Sequence, residues 1–182
     1  MKQIITRLLL EIIQSENPFK SSLVNRIVYH GTRSKTNFKL FDPSKITGLG
    51  GEHYGKGFYF TTNLDYAKSF GNTILECYIN VQYPLDLYNH NINELQHIID
   101  QMGTDEMQGR GFTRQYKDMA QATLNLNAPT STFRNIIQDK KGLKYIKNTY
   151  DSIIAPADYP GGGKEYLIYD QNNIKILGIM NE

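Results

Sequence analysis

Three short segments hold the residue types best suited to chemistry, and they lie far apart in the chain. They are Tyr29-His30-Gly31-Thr32, Gly55-Lys56-Gly57-Phe58-Tyr59-Phe60 and Lys164-Glu165-Tyr166-Leu167-Ile168-Tyr169-Asp170. Glu165 opens an apolar, aromatic run, and its carboxylate can stabilise developing positive charge or orient an incoming nucleophile. Tyr59 presents a ring face on which a flat group can stack. His30 stands directly before a glycine, where backbone can approach closely. Each residue also has an ordinary reading: His30 as a turn cap, Tyr59 as core, Glu165 as an exposed glutamate at a strand start. The combination of all three in one chain favours chemistry.

Other chemistries find little support. His53, His90 and His97 have no metal-ligand spacing with acidic or cysteine partners. The glycine-rich stretch Gly48 to Gly57 lacks the Gly-Lys-Ser/Thr ending and following helix of a phosphate loop. It reads instead as a loop over the site. Cys77 is the single cysteine, so no disulfide forms within the chain, and it reads as a small buried apolar residue.

In order and context the three segments resemble the His-Tyr-Glu branch of the ADP-ribosyltransferases, which includes the poly(ADP-ribose) polymerases and diphtheria toxin. The small phage and bacterial members are similar in size. YHGT resembles the branch's first motif and GKGFYFTTN its second. The spacing from Tyr59 to Phe70 is similar to that between the family's two stacking aromatics. KEYLIYDQNNIKI is similar to the polymerases' final motif, in which a glutamate opens a strand ending in Tyr-Asp. The likeness covers roughly half the chain.

The resemblance implies an α+β fold with two packed, strongly bent small β-sheets, flanking helices and a helical insertion, as a single domain over 1–182. NAD⁺ would lie as substrate in the cleft between the sheets, with no metal. Glu165 would stabilise the oxocarbenium-like ribose and bond its 2′-hydroxyl. Tyr59 and Phe70 would hold the cationic nicotinamide ring by stacking and cation–π attraction, although Phe70 also reads as a core residue at a helix end. Gly31 would offer backbone groups to the carboxamide. His30 would bond the adenosine-side ribose, and Thr32 would add a contact there. Catalysis would rest on Glu165, Tyr59 and His30. The loop before Glu165, with Tyr159, Gly161, Gly162 and Gly163, would face the target and select the acceptor. Two residues depart from the family pattern: Phe70 stands where tyrosine is usual, and Ala67 where the polymerases place a serine on the nicotinamide amide.

The implied activity is mono-ADP-ribosyl transfer to a macromolecule, protein or nucleic acid, with release of nicotinamide. NAD⁺ glycohydrolysis and a non-catalytic NAD⁺- or ADP-ribose-binding module are the alternatives. Water would replace the target in the first, and the intact His30, Tyr59 and Glu165 argue against the second. A toxin, a phage effector and a defence effector all fit such an enzyme.

The elements that must position these residues are legible in outline. Lys2 to Glu16 has apolar residues at helical spacing and predicts an amphipathic helix that packs on the domain; docking with an inhibitor or antitoxin protein is the lesser reading. RIVYHGT, GKGFYFTT and TILECYINV read as strands, the last ending at Pro84. Asn63 caps a short helix, LDYAKSF, closed by Gly71. From about 91 to 148 the spacing turns helical in NELQHIIDQM, TRQYKDMAQATLNL and STFRNIIQDKKGLKYIK, punctuated by glycines including Gly142 and by Pro129. YDSIIAP, EYLIYD and IKILGIM then read as strands, with Glu165, Leu167 and Tyr169 on one face and Tyr166 and Ile168 on the other.

The bulk numbers agree with this reading. A chain of 182 residues, 40% hydrophobic and 21% charged, suits one globular domain. A net charge of +2 gives no general drive toward nucleic acid. No apolar run is long enough to span a bilayer, and the single cysteine suits a reducing, cytoplasmic setting.

Overall fold

The computed structural model describes residues 16–34, 40–46, 53–89, 92–102, 112–157 and 163–181. The helix expected over Lys2–Glu16 lies, apart from Glu16, outside these residues, as do Tyr159, Gly161 and Gly162. Seven strands run in the order β1 (Val28–Thr32), β2 (Phe58–Thr61), β3 (Thr73–Ile79), β4 (Pro84–Asp86), β5 (Ser152–Pro156), β6 (Lys164–Ile168) and β7 (Ile174–Asn181). Helix α1 (Leu64–Lys68) follows β2. Between β4 and β5 come α2 (Ile92–Gln101), α3 (Phe112–Asn125), α4 (Pro129–Ile136) and α5 (Lys140–Thr149). The fold is α+β, as expected.

The strands form one sheet in the order β4-β5-β6-β2-β1-β3-β7. All neighbours are antiparallel except β4 and β5. The β1–β2 seam is narrow, with the single register pair Tyr29↔Thr61. Across it the sheet folds on itself. Phe58, Phe60, Ile154, Tyr166 and Ile168 from one half share a buried cluster with Val28, Leu75, Cys77 and Ile79 from the other. The two packed sheets expected from the sequence are thus the two halves of one continuous, bent sheet.

The outer face of the four-strand half carries the helices. Leu85, Leu87, Ile153, Ala155 and Leu167 meet Leu95, Ile98, Ile99, Phe133, Ile136 and Ile146 in a second core. Strands β5 and β6 are therefore buried on both faces. Their alternation separates Leu167 on the helical side from Tyr166 and Ile168 on the inter-sheet side.

Two boundaries differ from the sequence expectation. Pro84 does not end a strand run but opens β4, which pairs with β5 through Pro84↔Ser152; three residues are too few to show alternation. The last helical stretch is two helices, and Gly142 lies inside the second. A Cβ on Gly142 would stand 2.8 Å from the Ile136 carbonyl oxygen, so close helix packing is why glycine sits there. The break falls at Asp139, whose Oδ1 accepts from the Gly142 N–H at 2.7 Å and caps α5. Asp139 is buried, 1% exposed, so no water can replace that bond. An Asp139→Ala substitution should cost about 1–2 kcal/mol, the upper range for a helix cap. Urea unfolding would read this as a lower midpoint at unchanged slope, and an unchanged midpoint would contradict the capping role.

Candidate active site

The pairing of β2 with β6 brings two of the three segments together. Tyr59 lies opposite Leu167 and Thr61 opposite Glu165. Directly opposed residues share a face, so Tyr59 and Glu165 look the same way as diagonal neighbours, typically about 7 Å apart. Glu165 is buried, 5% exposed, which removes its reading as an ordinary exposed strand-start residue.

Tyr59 is held at its far end. Its hydroxyl donates to the Gly55 carbonyl at 2.6 Å and accepts from the Tyr54 N–H at 3.1 Å. The turn from His53 to Gly57 thus wraps around the phenol, and Gly55, at φ +97°, makes the left-handed bend this requires. The ring packs against the helical-side core.

The third segment joins through His30. Where the β1–β2 ladder stops, His30 Nδ1 lies 2.8 Å from the Tyr59 carbonyl oxygen. A carbonyl only accepts, so Nδ1 carries the proton and Nε2 of the neutral ring is an acceptor. The imidazole sits edge-on to Phe41 at 5.0 Å and tilted to Phe60 at 5.7 Å. Burial lowers its pKa below the ordinary 6.5, outweighing the bond to Tyr59, which acts to raise it.

The sign of the pH effect follows. The unfolded chain takes up the His30 proton before the folded one does as pH falls. Neutral His30 therefore contributes stability that is complete above about pH 6.5 and is lost as pH drops through the folded value. The thermal midpoint should fall more steeply below pH 6.5 in the wild type than in a His30→Gln variant; equal slopes would count against this assignment.

Gly31 and Phe70 complete the face. Side chains alternate along β1 from Tyr29, which pairs with Thr61, so Gly31 lies on the same face of the sheet as Thr61 and Tyr59. A Cβ on Gly31 would stand 1.8 Å from the Ala67 carbonyl oxygen and 3.2 Å from Phe70 Cβ. The backbone of α1 therefore lies directly on β1 at this residue. Packing alone requires glycine here, independently of any ligand. Helix α1 is started by Asn63, whose side chain accepts from the Tyr66 N–H at 3.1 Å. Phe70 follows the helix with its ring T-shaped against Tyr66 at 5.0 Å and is 38% exposed. Tyr59, Gly31, Phe70 and Glu165 thus lie on one face of the sheet, while the His30 ring packs on the other with Phe41 and Phe60. Thr32 spends its hydroxyl on the Ser34 N–H at 3.2 Å.

The hairpin before Glu165 is pinned at its base. The Ala157 N–H donates to the Gly163 carbonyl at 3.1 Å, and Pro156 pairs with Lys164. Gly163 has φ +119°, and a Cβ there would lie 3.7 Å from Thr62 Oγ1, beside the start of α1. Sequence reasoning overlooked Tyr54, which is 2% exposed; its hydroxyl donates to the Pro156 carbonyl at 3.2 Å. A lone aromatic in a glycine-rich loop has nothing local to pack on, and that was the available signal of a tertiary anchor. Among the described residues no group of three or more His, Cys, Asp and Glu could hold a metal ion, and no helix is long and apolar enough to cross a membrane.

No curated protein matches this chain. A solved structure, the crystal structure of an anti-CRISPR protein, is similar at 17% identity and a TM-score of 0.42, over 83% of this chain and 94% of that one. The family described as ADP-ribosyltransferase in polyvalent proteins matches residues 25–178. That span runs from before β1 into β7 and takes in all three segments of the site, and the chain belongs to this ADP-ribosyltransferase family.

Proposed function

We propose that the protein is a mono-ADP-ribosyltransferase of the His-Tyr-Glu branch, acting as one domain, which takes NAD⁺ and passes ADP-ribose to a macromolecular acceptor. The observation that carries this reading is the meeting of Tyr59 and Glu165 on one face of the β2–β6 pair, with His30 bonded to the Tyr59 carbonyl. Nicotinamide lies between the rings of Tyr59 and Phe70, beside the Gly31 peptide. His30, whose ring lies on the opposite face among Phe41 and Phe60, supports the site through its Nδ1 bond to the Tyr59 carbonyl.

Glu165 acts at the nicotinamide ribose. The bond between C1′ and the pyridinium nitrogen breaks, and its electron pair leaves with neutral nicotinamide. Positive charge spreads over C1′ and the ring oxygen, where a nearby carboxylate stabilises it. The acceptor nucleophile then bonds to C1′ with inversion and gives up its proton, with Glu165 placed to orient it or to accept the proton. The hairpin between β5 and β6, with Tyr159, Gly161, Gly162 and Gly163, faces the acceptor. An effector acting inside a host cell fits this chemistry.

Incubation of the purified protein with labelled NAD⁺ and a cell lysate tests the reading. Nicotinamide release together with label on macromolecules is the expected result, and protease or nuclease treatment then identifies the acceptor class. Release without label would replace transfer by hydrolysis. Binding of NAD⁺ without release would overturn the enzymatic reading.

A further inference from the structure

We infer that the outer face of α5 is a docking surface for a single-stranded nucleic acid, which it presents to the site as the acceptor. The inference rests on the function proposed above and deepens it by naming the acceptor class. Helix α5 carries Lys140, Lys141, Lys144 and Lys147 and no acidic residue. Its four positive charges exceed the +2 of the whole chain, so the rest of the chain sums to −2. Positive charge is thus gathered on one helix and not spread over the surface. A local field of that kind attracts polyanions even where the net charge does not.

The helix is held in an orientation that displays this charge. Gly142 and Ile146 are buried beneath it, and all four lysines are exposed. Lys140, Lys144 and Lys147 follow one another at intervals of four and three residues and form one stripe. The stripe rises roughly 10 Å, a length over which one nucleic-acid strand carries about three phosphates. Aromatic rings flank it. Tyr145 packs edge-on to the exposed His97 of α2, with ring centres 5.9 Å apart, and Lys147 Nζ stands 5.6 Å from the centre of the Tyr169 ring. Rings beside a row of ammonium groups suit unpaired bases next to a phosphate backbone, whereas a duplex hides its base faces. The carboxylates nearest in the chain are engaged elsewhere. Asp139 and Asp151, which bracket α5, and Asp170, beside Tyr169, each accept from backbone N–H groups.

Both ends of α5 adjoin the catalytic face. Just before the helix, Ile137 Cδ1 lies 3.9 Å from the Cβ direction of Gly55, in the turn that holds the Tyr59 hydroxyl. Near its other end, Lys147 stands over Tyr169, which packs on the same core as Leu167. Tyr169 is four residues beyond Glu165, roughly 13 Å along an extended strand, a distance that a few nucleotides cover. A nucleophilic oxygen or nitrogen of the docked strand then bonds to C1′ once nicotinamide has left with the electron pair of the broken bond, and its proton passes to Glu165.

The experiment uses a short fluorescein-labelled oligonucleotide of mixed sequence, single-stranded, as RNA and as DNA. Anisotropy titrations compare wild type with Lys140→Gln/Lys144→Gln/Lys147→Gln and with Lys140→Arg/Lys144→Arg/Lys147→Arg. The glutamine variant should bind about tenfold or more weakly, and its slope of log affinity against log salt should fall by about 2, at about 0.7 for each lost phosphate contact. The arginine variant, which keeps the charge, should bind as the wild type does. The KM for NAD⁺, read from nicotinamide release without oligonucleotide, should stay within about twofold in both variants. In lysate, nuclease should remove the wild-type label, and the glutamine variant should transfer about fivefold less of it. A wild type that binds neither probe, or a glutamine variant that binds as well, overturns the inference. A KM for NAD⁺ that rises in step with the loss of oligonucleotide binding overturns it too, by assigning the lysines to the phosphates of NAD⁺. Label removed by protease and not by nuclease overturns it in favour of a protein acceptor. Absence of any nicotinamide release by the wild type would instead sink the proposed function, while the titrations still report on the surface, so the two failures are distinct.

Discussion

Glu165→Gln should abolish most nicotinamide release, lowering kcat by on the order of 10²–10³-fold or more while leaving NAD⁺ binding nearly intact. The substitution keeps the shape of the side chain and removes its negative charge. Ground-state NAD⁺ already carries its positive charge on the pyridinium ring, and the ribose becomes cationic only as the C–N bond stretches. A carboxylate beside the ribose therefore gains most of its interaction in the transition state, so kcat falls and KM changes little. Burial strengthens the effect, because Glu165 is 5% exposed and water screens it poorly. The fold should survive, since the backbone pairing Thr61↔Glu165 does not involve the carboxylate. Initial rates across NAD⁺ concentrations, together with a thermal midpoint, make the check. Wild-type turnover in a folded Glu165→Gln protein would remove Glu165 from the mechanism.

Gly31→Ala should damage both stability and activity through one methyl group. The added carbon would stand 1.8 Å from the Ala67 carbonyl oxygen, where an ordinary contact is about 3.5 Å. The obstacle is helix backbone and cannot rotate away. Helix α1 must retreat, and Phe70 must move with it, because Phe70 Cβ is only 3.2 Å from the same point. Overpacking of this kind costs about 1–3 kcal/mol. A displacement near one ångström in a residue that positions substrate can cost about 10²-fold in kcat/KM. Thermal unfolding and NAD⁺ kinetics on the same preparation would test both. Ala67→Gly offers no relief, since the collision is with the carbonyl, and a double variant should remain impaired. A stable, fully active Gly31→Ala protein would show that α1 can shift without disturbing the site.

The two expectations had different visibility in the sequence. Glu165 stood out through the likeness of KEYLIYD to a family motif, and the alternation read in its strand holds in the structure, which divides Leu167 and Tyr166 between two cores. Asn63 was legible as a cap because capping is local chemistry. Gly31 was legible as important, but a contact with a helix more than thirty residues away leaves no local trace, so its packing role was hidden. Gly142 misled for the same reason, since a helix-breaking residue is kept inside α5 by the approach of Ile136. Pro84 opens a strand of three residues that exists only through its partner β5, and no periodicity of its own announces it. The hydrogen bond from His30 to the Tyr59 carbonyl depends on where the β1–β2 ladder stops, a property of the sheet's bend that no single segment contains.

The parallel pairing of β4 with β5 has a consequence for how such chains diversify. The chain leaves the sheet after Asp86 and returns at Ser152, level with Pro84 on the adjacent parallel strand, so the ends of the excursion are offset by one strand spacing and two residues, roughly 8 Å in all. Ends that close constrain the intervening length very little, because loop closure grows costlier only slowly with length. Leu85, Leu87, Ile153 and Leu167 still need an apolar cover. The block should therefore tolerate changes in its length and outer surface, as an interchangeable cassette would, whereas its inner face is held by these contacts.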